Sequence, residues 1–583
     1  MNAPRTHRSL DRMQRRYSVI VLTLMGVLLI ALGVRLVYVS SVLSPRLMTM
    51  AETQRRGGAA VPARRGMILD ARGRIVALSR EVPDVFVDPA RVEDIDDLAA
   101  RLSPRVNVAA SEIVGRIRAR ERSRFVPVAR RVDPVTAEAV EDLALQAVGL
   151  TAEDQRVYPL GASMGQVLGW VGRDGRGMGG IELGCDEHLR GTDGRHNTIR
   201  DARRRALGPG LEPSKPPVDG GHVVLTIDAI IQRIAEQALT KGVAAVEAES
   251  GVAIVLSPTT GEVLAMACEP TFDPNEPFTP ETAWIRRNRA VTDPVEPGST
   301  FKPFVACGAL EGGFVSATEK IDCRMGTHRF GRRLVTDTKP RGHLDLRGII
   351  VKSSNIGMGF IAHRMGNEVL YDTVRRFGFG RRTGIECPGE CSGVVYPLRH
   401  WTTYSTTSIP IGYEILVTPL QLATAFAAIV NDGVLLKPRL IKAYLGPDGR
   451  VLRRFDQPQI VRRVVASEVS RYMARDVLVA VVEEGGGHAA KSGPFRVLGK
   501  TGTAKLANVD RSGYEDGAYL GLFVGAAPAE APEIVVIAMV RRPDPSIGYY
   551  GGKVAAPVVG EIILKTLPYL ERPTDELPST TDL

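Results

Sequence analysis

Tyr17–Val34 (YSVIVLTLMGVLLIALGV) is a run of 18 residues without a charge, and it constrains this chain more than any other stretch. As a helix it is about 27 Å long, and apolar character resumes after Arg35 with LVYVSSVL. That is enough to cross a hydrocarbon core, with Arg35 snorkelling outward. The run is long for a signal-peptide core, and no A-x-A cleavage site follows it, so it reads as an uncleaved anchor. Arg5, Arg8, Arg12, Arg15 and Arg16 precede it against a single acid, Asp11. This asymmetry implies a cytoplasmic leader (1–16), a single-pass anchor (17–39) in the cytoplasmic (inner) membrane, and an extracytoplasmic remainder. A buried helix of a soluble protein is the competing reading, and the basic leader disfavours it.

At 583 residues the chain exceeds one hydrophobic core, so two or three domains are expected. With 44% apolar and 24% charged residues, it has the composition of a folded protein. The net charge is +10 and the pI about 9.3, but the arginines are dispersed and no nucleic-acid-binding motif is visible. Nucleic acid is therefore not an expected partner, and a basic surface near an anionic membrane or polymer accounts for the charge equally well. Six cysteines are few for an exported chain of this size, so the fold does not depend on a disulfide framework. Cys387 and Cys391 in ECPGEC lack a second ligand pair at zinc spacing, so no metal or other cofactor is expected. A local disulfide between them stays open, and Cys307 reads as a small core residue.

Residues 40–215 mix short strand-like runs, helical stretches and many arginines, including two apolar runs around a turn (RRGMILDARGRIVA, 64–77) and a glycine-dense segment (156–194). ALGPGLEPSKPPVDGG (206–221) reads as a linker, and RPTDELPSTTDL at the C-terminus as a disordered tail (571–583). Between them, 222–570 reads as one α+β unit. It opens with a hairpin (251–270) and closes with three strands near 496–507, 518–528 and 533–543; helices such as TPLQLATAFAAIVNDG (418–433), with one apolar face, lie between. Strands at both ends imply an antiparallel sheet closed by N- and C-terminal pieces and flanked by helices.

Within that unit, EPGSTFKPF (296–304) places Ser299 after Pro-Gly and Lys302 one helical turn later. A hydroxyl at a helix start, with an amine in reach to take its proton, is a candidate nucleophile and base; a Ser N-cap beside a solvated lysine is the plainer reading. Two further motifs decide between them. KSSNIG contains Ser353 and Asn355 in S-x-N spacing, and GKTGTA contains Lys500, Thr501, Gly502 and Thr503 in a strand-like run. S-x-x-K, S-x-N and K-T-G in this order resemble the penicillin-binding protein and serine β-lactamase superfamily.

The resemblance extends along nearly the whole chain and is closest to the septal, cell-division branch of class B penicillin-binding proteins. RRGMILDARGRIVA, RVYPLG and GGIELGCDEHLRG are similar to motifs of their non-catalytic, dimerisation-type pedestal, with Arg156, Tyr158, Gly180 and Glu182 in matching places. Those residues are expected to be structural. The transpeptidase domain (222–570) is similar in NRAVTDPVEPGSTFKPF, TGIECPGECSGVVYP, GYEILVTPLQLA and YYGGKVAAPV.

The resemblance implies a D,D-transpeptidase that cross-links peptidoglycan stem peptides through an acyl-enzyme on Ser299, with β-lactams as inhibitors. Lys302 acts as base if burial and the nearby charge of Lys500 keep it neutral. Ser353 relays a proton to the leaving amine and Asn355 binds the substrate amide. Thr501 and Thr503 hold the substrate carboxylate, and the N–H groups of Ser299 and Thr503 form the oxyanion hole. Gly502 lets substrate lie along the strand edge. No glycosyltransferase domain is recognisable, so a SEDS-type glycosyltransferase and other divisome membrane proteins are implied partners. The same chemistry in elongation or spore cortex synthesis, and a catalytically silent β-lactam sensor or scaffold, are the alternatives. Three features depart from the family pattern: Glu414 stands where glycine is usual, DARG replaces the more frequent DRNG, and His488 lies where a threonine often precedes the K-T-G strand. His488 reads as a solvated loop residue.

Overall fold

The computed structural model describes residues 7–44, 48, 50, 56–200, 206–209, 215–508 and 513–571. Two compact units emerge, one of residues 1–63 with 192–218 and one of 64–191 with 219–583. The expected tail lies outside the described residues except for Glu571.

In the first unit, the helix His7–Tyr38 runs on into π-helical Val39–Leu43. Within Met13–Leu43 an 18-residue stretch has a mean hydropathy of 2.6 and is 0% buried inside the protein, as a lipid-facing helix requires. The helix begins ahead of the expected boundary at 17, taking in part of the basic leader. Gly194–Arg200 pairs antiparallel with both Arg56–Val61 and Ala206–Pro209. The expected linker therefore starts as a strand. Ala206–Pro209 lies at the sheet edge, where a proline costs no ladder hydrogen bond.

In the second unit, β1 (Ser250–Leu256), β2 (Val263–Glu269), β3 (Leu498–Ala507), β4 (Tyr514–Ala527) and β5 (Ile534–Arg541) form an antiparallel sheet in the order β2-β1-β5-β4-β3. The two end pieces of the region thus close the sheet, and the K-T-G strand β3 is left at an edge. Alternation divides each strand between two cores. Ala253, Val255, Ala538 and Val540 pack against α1 (Ala229–Ala244) and the C-terminal helix α5 (Ala556–Leu570). Val252, Ile254, Ile537 and Met539 face the other way, into a core shared with α2 (Lys302–Glu311), α3 (Asn355–Arg376) and α4 (Pro419–Val430). The sequence suggests one apolar face for α4, but it is buried on all sides from Pro419 to Ile429, as the central helix of a large core is.

The 64–191 segment is built on a long strand, Ile75–Val87, paired antiparallel with Ile68–Leu69, Val126–Ala129 and Val148–Val157. His222–Leu225, beyond the expected linker, lies parallel to Ile68–Leu69 and antiparallel to Ile441–Leu445, so one sheet joins the two regions.

The pedestal motifs meet at Glu182, which is 0% exposed. Its carboxylate accepts from Arg65 Nε and Arg156 Nε, each at 2.6 Å, and from Tyr158 Oη at 3.2 Å. Burial and the Glu182 carboxylate push the Tyr158 phenol up, so it stays a donor. All six cysteines are free.

Candidate active site

The Ser299 turn is set by its neighbours. Gly298–Phe301 is a single 3-10 turn that runs directly into α2, and Gly298 holds φ +54°. A Cβ on Gly298 would stand 2.8 Å from the Thr503 carbonyl oxygen, so only glycine lets the turn press against the backbone of β3. Phe301 and Phe304 anchor the helix start: both are fully buried and pack against Phe379, tilted and edge-on, with centroid distances of 4.9 and 5.1 Å. Ser299 itself is half-buried.

One turn on, Lys302 is 0% exposed. Its Nζ donates to Ser353 O (2.6 Å), Ser353 Oγ (3.1 Å) and Asn355 Oδ1 (2.8 Å). Burial and the charge of Lys500 hold this amine well below the usual lysine range, while Asp337 opposes them. A neutral amine uses two of the three acceptors, and the third suits the proton it gains on acting as base. Among the described residues Ser299 Oγ makes no hydrogen bond to Lys302. Catalytic hydrogen bonds often tighten only once substrate is bound.

Ser353 sits at φ +57° in the turn between Leu346–Val351 and α3, a strained position for a serine. Lys500 Nζ donates to Ser353 Oγ at 3.2 Å and to Thr501 O at 2.9 Å. Lys500 is also 0% exposed, and burial brings its amine down to about 7.

Strand alternation divides the K-T-G residues. Lys500 and Gly502 face the Ser299 turn. A Cβ on Gly502 would meet Thr300 Cγ2 at 2.7 Å and Pro297 O at 2.8 Å. The glycine is therefore required by the packing of the nucleophile turn, a reason that the strand-edge argument did not supply. Thr503 Oγ1 accepts from Gly551 N at 3.1 Å, which leaves its own proton free to donate.

Hydrogen bonds thus join Lys302, Ser353, Asn355 and Lys500 beneath the Ser299 turn, and Gly502 packs against that turn, whereas the side chains of Thr501 and Thr503 lie on the other face of β3, toward Gly552 and Gly551. Residues 251–564 match the penicillin binding protein transpeptidase domain. The chain belongs to the penicillin-binding-protein transpeptidase family.

Residues 60–225 of this transpeptidase match the penicillin-binding protein dimerisation domain, as in class B members. It is 34% identical over 547 residues to the probable peptidoglycan D,D-transpeptidase PenA of Neisseria gonorrhoeae, covering 93% of this chain and 91% of that protein. It is 30% identical to the stage V sporulation protein D of Bacillus subtilis, covering 95% and 86%. Penicillin binding protein 3 of Mycobacterium tuberculosis in complex with aztreonam superposes with a TM-score of 0.68 and 29% identity, covering 89% of this chain and 100% of that one.

The structure of the transpeptidase adds a residue that no motif announced. Asp337, at the end of strand Arg333–Thr336, accepts from Asn355 N (2.6 Å), Ile356 N (3.2 Å) and Ser354 Oγ (2.6 Å). It thereby holds the start of α3, where a carboxylate also complements the helix dipole. Next to it, Asn355 Nδ2 donates to Thr336 O at 2.9 Å, which turns the amide oxygen toward Lys302. Asp337 stands in VTDTKPRG, a stretch without any recognisable pattern. His488 is exposed and makes no side-chain hydrogen bond among the described residues. Among the described residues, no group of three or more His, Cys, Asp or Glu side chains is placed to hold a metal ion.

Proposed function

We propose that this protein is a membrane-anchored peptidoglycan D,D-transpeptidase that acts through an acyl-enzyme on Ser299. The observation that carries the proposal is the meeting of Lys302 and Lys500 at one hydroxyl, Ser353 Oγ, beneath the Ser299 turn. Ser299 Oγ attacks the carbonyl between two terminal D-alanines as its proton passes to neutral Lys302. The N–H groups of Ser299 and Thr503 hold the tetrahedral oxyanion. Collapse breaks the C–N bond, and Ser353 passes a proton to the departing D-alanine amine. An amine from a neighbouring strand then attacks the ester, gives up its proton by the same route, and leaves a cross-link with Ser299 restored. Asn355 orients the substrate amide, while Thr501 and Thr503 donate to its carboxylate. β-Lactams enter the same cleft and stop at the acyl stage.

The N-terminus is cytoplasmic and the catalytic cleft extracytoplasmic, with a pedestal over 40–215 and a transpeptidase domain over 222–570. Septal cross-linking beside a SEDS-type glycosyltransferase and other divisome proteins is the preferred setting. Relatedness to a sporulation protein keeps cortex synthesis as the second setting. Labelling with a fluorescent penicillin tests the chemistry: the wild type should be labelled and Ser299→Ala should not, and a labelled Ser299→Ala protein would refute the site. A fluorescent fusion that marks the lateral wall and not the septum would refute the setting alone.

A further inference from the structure

Thr327–Phe330 and Arg333–Thr336 pair antiparallel into a hairpin that, among the described residues, joins no other strand. A lone two-stranded ribbon is marginal in water, and of the residues in these two strands only Val335 is buried. Yet Thr336 and Asp337, at the open end of the hairpin, hold Asn355 and the start of α3. The hairpin must itself be held.

Its turn end rests on α3. The Phe330 ring meets His328 and Phe360 edge-on, at centroid distances of 4.5 and 5.0 Å, and stacks on His363 at 5.1 Å. Beneath it is Gly359. A Cβ there would stand 2.8 and 2.9 Å from Phe330 Cζ and Cε2, and the three nearest atoms all belong to that ring. Gly359 is buried inside a helix, where glycine is a costly choice, and no positive φ accounts for it. The ring accounts for it.

Asn355, Gly359 and His363 follow one another at four-residue spacing, so they form one stripe on α3. The hairpin lies along this stripe, with Asp337 at the first position and Phe330 over the next two. Opposite Phe330 in the register, Arg333 Nη1 donates to Tyr404 O at 3.1 Å and Thr407 Oγ1 at 3.2 Å. The turn end thus has a polar hold on a neighbouring segment and an apolar one on α3 itself.

We propose that Phe330 is a positioning residue for the transpeptidase reaction: seated over Gly359, its ring keeps the hairpin on α3, so that Thr336 and Asp337 hold Asn355 toward Lys302. The inference rests on acylation at Ser299. Phe330 touches no reacting atom and acts through Asp337. Lys302 faces Lys500 from β3 and Asp337 from the hairpin, and Asp337 favours its charged form. A hairpin released from α3 takes that carboxylate away.

Two measurements on the full-length protein test this. In urea unfolding, Gly359→Ala should lower the midpoint of the wild type, because the methyl group collides with the ring. In the Phe330→Ala background the same change should raise the midpoint, since the space is vacant and alanine favours the helix. In stopped-flow acylation by benzylpenicillin, Phe330→Ala should lower the plateau on the order of tenfold and move the rising limb to lower pH, as Asp337→Asn does. Phe330→Leu, which keeps an apolar group on the seat, should stay within about threefold of the wild type. Gly359→Ala lowering the midpoint equally in both backgrounds would overturn the seat. An unchanged plateau, or a lower plateau with an unmoved limb, would overturn the positioning role. Failure of the wild type to acylate at Ser299 would overturn the reading beneath it, while the urea cycle would still report on the seat.

Discussion

Lys302 and Lys500 donate to the same atom, Ser353 Oγ, at 3.1 and 3.2 Å, and both side chains are 0% exposed. Burial and the charge of Lys500 disfavour the charged form of Lys302, and burial that of Lys500. In the proposed mechanism Lys302 accepts a proton there, and the serine between the lysines relays one.

The first prediction concerns pH. Acylation needs neutral Lys302, so the rate rises with pH through its lowered pKa. Lys500 lowers that pKa and Asp337 raises it. Lys500→Gln should therefore move the rising limb of the acylation profile to higher pH, and Asp337→Asn should move it lower. Stopped-flow acylation across pH measures both limbs. Shifts in the same direction would contradict the assigned charges.

Stability should also record the burial of Lys500. Its folded pKa is about 7 against 10.5 unfolded, so the unfolded chain binds more protons between these values. Stability therefore rises with pH through that window, with the full penalty felt below about 7. Lys500→Met should be more stable at pH 7 by about 2 kcal/mol, the charge-burial cost of roughly 5 kcal/mol being offset in part by two lost hydrogen bonds. Its Tm should depend less on pH than that of the wild type, while its acylation is severely impaired.

Gly502→Ala tests the packing of the nucleophile turn. The added methyl group would press on Thr300 and Pro297 O, displacing Ser299 from β3. Acylation should fall on the order of a hundredfold, with about 1–3 kcal/mol lost in unfolding free energy. Near-wild-type acylation kinetics would show that the turn tolerates the displacement.

Glu182 ties together the pedestal arginines. Glu182→Ala leaves Arg65 and Arg156 buried without their shared carboxylate and should cost about 3–5 kcal/mol in urea unfolding. A loss below about 1 kcal/mol would mean that the two arginines find other partners.

Much of this was legible because the chemistry sits in short, ordered motifs. The apolar run at 17–34, the 251–270 hairpin and the strand bearing Lys500–Thr503 follow from pattern, and the three active-site motifs meet as their order implies. Asp337 was not legible, because its role arises from a contact 18 residues away with Asn355. Nor was the reason for Gly502, since its missing Cβ leaves room for Thr300, about 200 residues earlier in the chain. The sheet shared by Ile68–Leu69 and His222–Leu225 was hidden in the same way: local composition marks the Pro/Gly-rich stretch before residue 222 and cannot show which strands pair across it.

The central claim is that Ser299 carries the acyl group. Full-length protein treated with benzylpenicillin, digested and sequenced by tandem mass spectrometry, should show one penicilloyl adduct, on Ser299. An adduct on any other residue, or none on folded protein, would contradict the account.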